Sequence, residues 1–240
     1  MSKFDFIFFD SGGTLYQAGI KGENSPSKIY ENRVQRIHPL LLQFGYTNTP
    51  EDLLKTLEYV EDVCTKKFQS HLFNFAEVII ELCSELNLAL PKEYCFLLAD
   101  LYAGPRFKEW LFPETLNAIK QLDQLGIKLG IIANTEWPGF SMDRAFSAIG
   151  LLPYLKYRVY SGDIQLKKPD IKIFKYAENL AGAQGKRILY VGNDLNNDIL
   201  PTKKIGWFSA FRMPQANYQN NHLADFQFYN ILDLVNYCKD

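Results

Sequence analysis

From Pro113 to the end of the chain, helix-like and strand-like patterns alternate, and no other feature limits the fold as much. Ile127–Ala133, Tyr157–Tyr160, Arg187–Val191, Trp207–Phe211 and Ala224–Tyr229 read as strands. Between and after them, Glu114–Leu125, Ser141–Ile149, Asp170–Leu180, Asp198–Ile205 and Ile231–Cys238 read as helices, three of them closed by Gly126, Gly150 and Gly206. Such alternation is the signature of a parallel sheet with crossover helices. The apolar run Phe6–Phe9 adds a strand at the N-terminus, ending at Asp10 and the turn Ser11-Gly12-Gly13.

Residues 27–110 interrupt this pattern with helical periodicity alone: Ile29–Phe44, Pro50–Phe68, Phe75–Leu86 and Pro91–Tyr102 predict a four-helix insert. The expected fold is therefore α/β, a doubly wound parallel sheet formed by residues 1–18 and 110–240, with a helical-bundle domain over 19–109. A chain of 240 residues, 47% hydrophobic and 22% charged, is long enough for both. Tyr16–Pro26, with Gly19 and Gly22, reads as a joint between the two parts.

Charge and composition exclude several classes of function. A formal net charge of −1 and the absence of any long Lys/Arg run leave nothing to attract nucleic acid. The N-terminal apolar run is broken by Asp5 and ends in Asp10, so neither a signal peptide nor a membrane span is expected, and a cytoplasmic location follows. Cys64, Cys83, Cys95 and Cys238 are widely spaced, which fits buried thiols rather than zinc or disulfides. His38, His71 and His222 each stand alone. The Asn- and Gln-rich stretch Met213–Asn221 reads as an exposed loop.

In open parallel sheets ligands bind beyond the carboxyl ends of the strands, where the strand order reverses. Polar clusters stand at those ends: Asp10 after the first strand, Asn134 and Thr135 after the second, and Asn193, Asp194 and Asp198 after a later one. Lys168 precedes a helix nearby in sequence.

Three motifs in this order, Asp10-Ser11-Gly12-Gly13-Thr14-Leu15, Lys168-Pro169-Asp170 and Gly192-Asn193-Asp194-x-x-x-Asp198, make the chain resemble the haloacid dehalogenase-like (HAD) superfamily. The resemblance spans most of the chain. It implies a Rossmann-like core, with the helical insert as the cap that such enzymes place after the first motif. It also implies hydrolysis of a small phosphorylated substrate by a magnesium-dependent enzyme, either monomer or homodimer. Asp10 is then the nucleophile, an attacking carboxylate that must be ionised and shielded from bulk water. Lys168 stabilises charge, chosen over its neighbour Lys167 because it directly precedes Pro169. Gly13, Thr14, Asn134 and Thr135 are implied to bind the phosphoryl group. Magnesium, which takes hard oxygen ligands, is implied to be held by Asp10, the Gly12 carbonyl and a choice among Asn193, Asp194 and Asp198. The choice stays open because Asn193 holds the place directly after the glycine where the family has Asp.

Two departures from the family pattern bear on rate. Gly12 stands where the phosphatases carry a second Asp that protonates the leaving group, a contribution of roughly 10²–10⁴. Ala133 stands where a Ser or Thr hydroxyl contacts the transferring group, and losing one such donor costs roughly 10²–10³. Together they raise the alternative of a catalytically silent relative that binds a phosphorylated ligand or a protein partner. A third reading, a metal-free 2-haloacid dehalogenase-type hydrolase, lacks the aromatic residue that branch carries at position 12. Lys21 and Lys28, near the start of the insert, have no apolar setting that would mark either as an amine of lowered pKa.

Overall fold

The computed structural model describes residues 2–17, 26–67, 73–104, 110–215 and 223–239. Lys21, Gly19, Gly22, His71, His222, the side chain of Lys28 and all of the Asn/Gln-rich stretch after Gln215 lie outside them. The chain divides into two compact units: Met1–Gly19 with Arg106–Asn134 and Phe146–Asp240, and Ile20–Pro105 with Thr135–Ala145. Thr135–Ala145, which continuity with the second strand assigns to the α/β part, thus groups with the helical unit.

The first unit is a six-stranded, all-parallel sheet of β1 (Phe6–Phe9), β2 (Lys128–Ala133), β3 (Leu155–Tyr160), β4 (Ile188–Gly192), β5 (Phe208–Arg212) and β6 (Phe226–Phe228). The strand order is β3-β2-β1-β4-β5-β6. Every residue of β1 and β4 is buried, as expected of strands covered on both faces. The chain leaves β1 for β2 and β3 on one side and returns to β4 on the other, so strand order reverses between β1 and β4. Phe9 is in register with Ile131 of β2 and Val191 of β4. The Asp10 amide continues the ladder by donating to the Val191 carbonyl at 2.8 Å. The reversal therefore places Asp10 beside the loop that follows β4.

The helices α5 (Thr115–Gln124), α8 (Ile171–Ala181), α9 (Leu200–Lys204) and α10 (Ile231–Tyr237) belong to this unit. Asp170 caps α8 by accepting from the Lys172 amide, and Gly182 ends it in the left-handed conformation that glycine adopts without penalty. One cluster in its core joins Phe6, Phe8, Ile132, Phe174, Tyr190 and Trp207. A single turn, α7 (Ser161–Ile164), follows β3 directly; the sequence pattern gave no sign of it.

The second unit holds α1 (Pro26–Gln43), α2 (Pro50–Lys67), α3 (Phe75–Glu85) and α4 (Lys92–Ala103), the four helices expected from periodicity. Leu53, Leu57, Val60 and Cys64 fall on one face of α2 at helical spacing and are buried among Ile37, Leu41, Ile79 and Leu98. The helix α6 (Gly139–Ala148) begins within this unit and runs into residues of the first. All four cysteines are free and buried. Among the described residues no helix is long and apolar enough to cross a membrane.

Candidate active site

At the carboxyl end of β1 the Asp10 carboxylate meets Lys168, whose Nζ donates to Asp10 Oδ1 at 2.7 Å. The same ammonium donates to Asp198 Oδ1 at 2.7 Å and to the Tyr190 hydroxyl at 2.8 Å. Lys168 is 3% exposed, and these three bonds use its three hydrogens. Burial works to lower its pKa, but Asp10 and then Asp198 outweigh that and hold it above the ordinary lysine value. The ammonium thus stays charged in the interior, paired as a buried charge must be.

Lys168 is fixed at its backbone as well. Asn134, directly after β2, donates from Nδ2 to the Lys168 carbonyl at 2.9 Å and accepts from the Lys168 amide at 2.8 Å. Asn134 was expected to bind phosphate; its amide instead clamps the lysine's peptide. The Lys168–Pro169 bond is cis.

Asp198 was expected as a metal ligand, and the geometry gives it another task. Its Oδ1 faces Lys168, and its Oδ2 accepts from the amides of Asn193 and Asp194 at 3.1 and 3.0 Å. Burial pushes its carboxyl upward, with Lys168 pulling against that. A π-helical turn, Leu195–Ile199, turns the chain so that Asp198 folds back onto the amides before it. Gly192 is required there, because a Cβ would collide with the Asp198 side chain. Asp194 is likewise engaged: Oδ1 accepts from the Asn196 and Asn197 amides at 2.8 and 3.0 Å, and Oδ2 from Asn197 Nδ2 at 2.8 Å. Burial works to raise Asp194, but the bonds from Asn197 and Asn196 win and hold it below the usual carboxylate range. It is the cap of the turn.

Asn193 is the member of this loop that reaches Asp10. The inner atom of its side-chain amide lies 3.1 Å from Asp10 Oδ2, 2.9 Å from Thr14 Oγ1 and 3.3 Å from the Gly12 carbonyl oxygen. The Thr14 hydroxyl, fully buried, is 3.2 Å from Asp10 Oδ2. Gly13, at φ 80°, leaves room for this approach, since a Cβ there would lie 2.6 Å from the outer atom of the Asn193 side-chain amide. Gly12 pairs with Tyr16 in an isolated bridge and is not among the glycines of positive φ.

These distances test whether a metal fits. In an octahedral magnesium shell with bonds of about 2.0–2.1 Å, neighbouring oxygens stand about 2.9 Å apart. Asp10 Oδ2, the Gly12 carbonyl and an Asn193 oxygen turned inward approach that spacing, at 3.1 and 3.3 Å. Two carboxylates against one ammonium also leave a net negative charge. Among the described residues no group of three or more His, Cys, Asp and Glu side chains is arranged to hold a metal. A hard cation at this point would have one carboxylate, one main-chain carbonyl and one amide within reach.

The first unit thus brings together Asp10, Gly12, Gly13, Thr14, Lys168, Asn193 and Asp198. Thr135 belongs to the helical unit, where its hydroxyl accepts from the Trp137 amide at 3.1 Å. Tyr190, on β4, was not foreseen. Burial, then Asp198 and Asp10, push its hydroxyl well above the ordinary value, and it donates to the Ile132 carbonyl at 3.1 Å. The available signal was a hydroxyl-bearing ring inside the otherwise aliphatic run Ile188-Leu189-Tyr190-Val191, since a buried tyrosine needs a polar partner.

Comparison with known proteins bears on the family and the fold. A family model described as haloacid dehalogenase-like hydrolase matches residues 4–206. A glyceraldehyde 3-phosphate phosphatase of Methanothermobacter thermautotrophicus is 30% identical over 202 residues, 83% of this chain and 81% of its own. One of the same name from Methanocaldococcus jannaschii is 25% identical over 132 residues, 54% of this chain and only 57% of its own length. Two solved structures share the fold across the whole chain. A HAD phosphatase from Thermococcus onnurineus has a TM-score of 0.59 at 19% identity, with 97% of each chain covered. A 2-haloacid dehalogenase from Pseudomonas syringae has 0.64 at 16%, with 98% of each covered.

Proposed function

The chain belongs to the haloacid dehalogenase-like hydrolases, and on that footing we propose that it is a phosphatase acting on a small phosphorylated metabolite through an aspartyl-phosphate on Asp10. The observation that carries this reading is the Lys168 ammonium held at 2.7 Å from both Asp10 and Asp198. It aims the Asp10 carboxylate, and it places a fixed positive charge where phosphoryl oxygens gather. The relatives named glyceraldehyde 3-phosphate phosphatase support a phosphate monoester of a small polar molecule as substrate. The helical unit, inserted in sequence between β1 and β2, is read as the cap that selects it.

In this reading an Asp10 oxygen attacks phosphorus and the bond from phosphorus to the leaving oxygen breaks. The leaving oxygen takes its proton from solvent, because Gly12 offers none. Water then attacks phosphorus, releasing inorganic phosphate and regenerating the Asp10 carboxylate. Asp198 fixes Lys168, Asn134 fixes its backbone, and Thr14 with Asn193 fixes Asp10. Magnesium, held by Asp10, the Gly12 carbonyl and Asn193, would supply neutralising charge to the transferred group.

The test is a screen of sugar phosphates, triose phosphates, acyl phosphates and aryl phosphates, with magnesium and with EDTA, using Asp10→Asn as the blank. Magnesium-dependent phosphate release in wild type alone supports the proposal. A second reading is a silent relative that binds a phosphorylated ligand without turning it over. Gly12 and the fully buried Ala133 favour it, since neither supplies a proton or a hydrogen bond. Ligand-induced stabilisation with no release of phosphate from any substrate would select it.

A further inference from the structure

We propose that the Asn193 side-chain amide takes the cation's place in the metal-free protein and must turn over when the cation binds, so that this residue sets the affinity of the site. The inference rests on the magnesium reading above. With nitrogen inward, the amide donates to Asp10 Oδ2 at 3.1 Å and to Thr14 Oγ1 at 2.9 Å, with the Gly12 carbonyl at 3.3 Å. The oxygens that would surround a cation are then satisfied by a neutral donor, and Thr14 completes the set by donating to Asp10 Oδ2 at 3.2 Å. With oxygen inward, the same atom position faces those three oxygens and accepts only the Thr14 hydroxyl, at 2.9 Å. Oxygens packed at that spacing repel one another unless a cation lies among them.

One side chain thus serves two states related by a half-turn of its terminal amide. An aspartate at this place would have oxygen in both orientations and would add a second charge against Asp10. Asn193 therefore gives a metal-free site without like-charge repulsion, and it weakens cation binding twice over. The entering ion displaces hydrogen bonds already made, and it meets one carboxylate rather than two. The other acids of the loop do not compensate, since Asp194 is bonded to Asn196 and Asn197 and Asp198 to Lys168. Gly13 keeps the space in which the amide turns, because any side chain there would strike it.

The experiment follows the Asn193 side-chain NH₂ pair in nitrogen–proton correlation spectra of the full chain, assigned by its loss in Asn193→Asp, while melting temperature is read over the same magnesium series. In EDTA the pair should be shifted and slow to exchange, and it should move over the magnesium range that raises the melting temperature. Asn193→Asp should melt about 2–4 °C lower than wild type in EDTA and bind magnesium at least about tenfold more tightly. A pair that stays unchanged while magnesium raises the melting temperature overturns the inference and leaves cation binding standing. If magnesium stabilises neither wild type nor Asn193→Asp, the cation reading falls and this inference falls with it.

Discussion

The Tyr190 hydroxyl accepts a hydrogen bond from the Lys168 ammonium at 2.8 Å and donates to the Ile132 carbonyl, tying the site's one buried cation to β2 through β4. Tyr190→Phe keeps the ring, which packs edge-on against Phe174 at 5.2 Å, and removes these bonds together with the hydroxyl's contact to Asp198 Oδ1 at 3.3 Å. One Lys168 hydrogen then lacks a partner in the interior. The urea midpoint should fall by the equivalent of about 1–3 kcal/mol. Turnover should drop because the lysine is less well held. A midpoint unchanged from wild type would show that the bond carries nothing.

Lys168 and its half-buried neighbour Lys167 separate a role in the site from mere adjacency to it. Lys168→Ala leaves Asp10 and Asp198 facing each other, and breaking such a buried pair costs about 3–5 kcal/mol. Activity should fall at least about 100-fold even below the variant's melting temperature. Lys167→Ala should change either quantity little. Equal losses in the two variants would contradict the assignment of Lys168.

Much of the fold was legible because apolar runs that end in polar residues mark the strand ends, and Asp10, Asn134 and Asn193 all stand at such ends. The order β3-β2-β1-β4 then brings Asp10 and Asn193 together without any long-range information in the pattern. The roles of the acids were not legible. A carboxylate that caps a turn and one that binds a cation have the same chemistry and the same spacing, and only the π-helical turn Leu195–Ile199 decides that Asp198 points back to Lys168. Asn134 was not legible for a similar reason: a polar amide at a strand end looks like a ligand, and the pattern carries no sign of the two bonds it makes to one peptide.

Gly12 decides how far the chemistry depends on the leaving group. Without a proton donor there, activated phosphates should turn over much faster than alkyl ones, because acidic leaving groups depart as stable anions. Gly12 is not among the glycines of positive φ, so an aspartate meets no left-handed backbone strain there. Gly12→Asp should raise turnover of alkyl phosphates by up to roughly 10²–10⁴ and that of aryl phosphates less. Normal folding with no gain on any substrate would point to the silent relative.

The helical unit carries its own pH dependence. Burial first, then Glu136, push Glu61 up to about 7, with Arg33 opposing. An acid raised in the folded state binds more protons folded than unfolded, so stability falls as pH rises from its ordinary value near 4.5 through about 7. The upper bound of the loss is about 3 kcal/mol, reduced by solvent screening. Glu61→Gln should flatten this slope, melting higher than wild type at pH 8 and much closer to it at pH 4.5. Parallel curves for the two proteins across that window would contradict the raised value.

The covalent role of Asp10 is the centre of the account, and trapping tests it most directly. Wild type is mixed with magnesium and an aryl phosphate, quenched in acid within a turnover, reduced with borohydride and digested for mass spectrometry. An aspartyl-phosphate is reduced to homoserine, so the peptide holding residue 10 should carry that change in wild type and not in Asp10→Asn. Phosphate release by wild type with an unreduced Asp10 peptide, or with reduction at another acid, would contradict it.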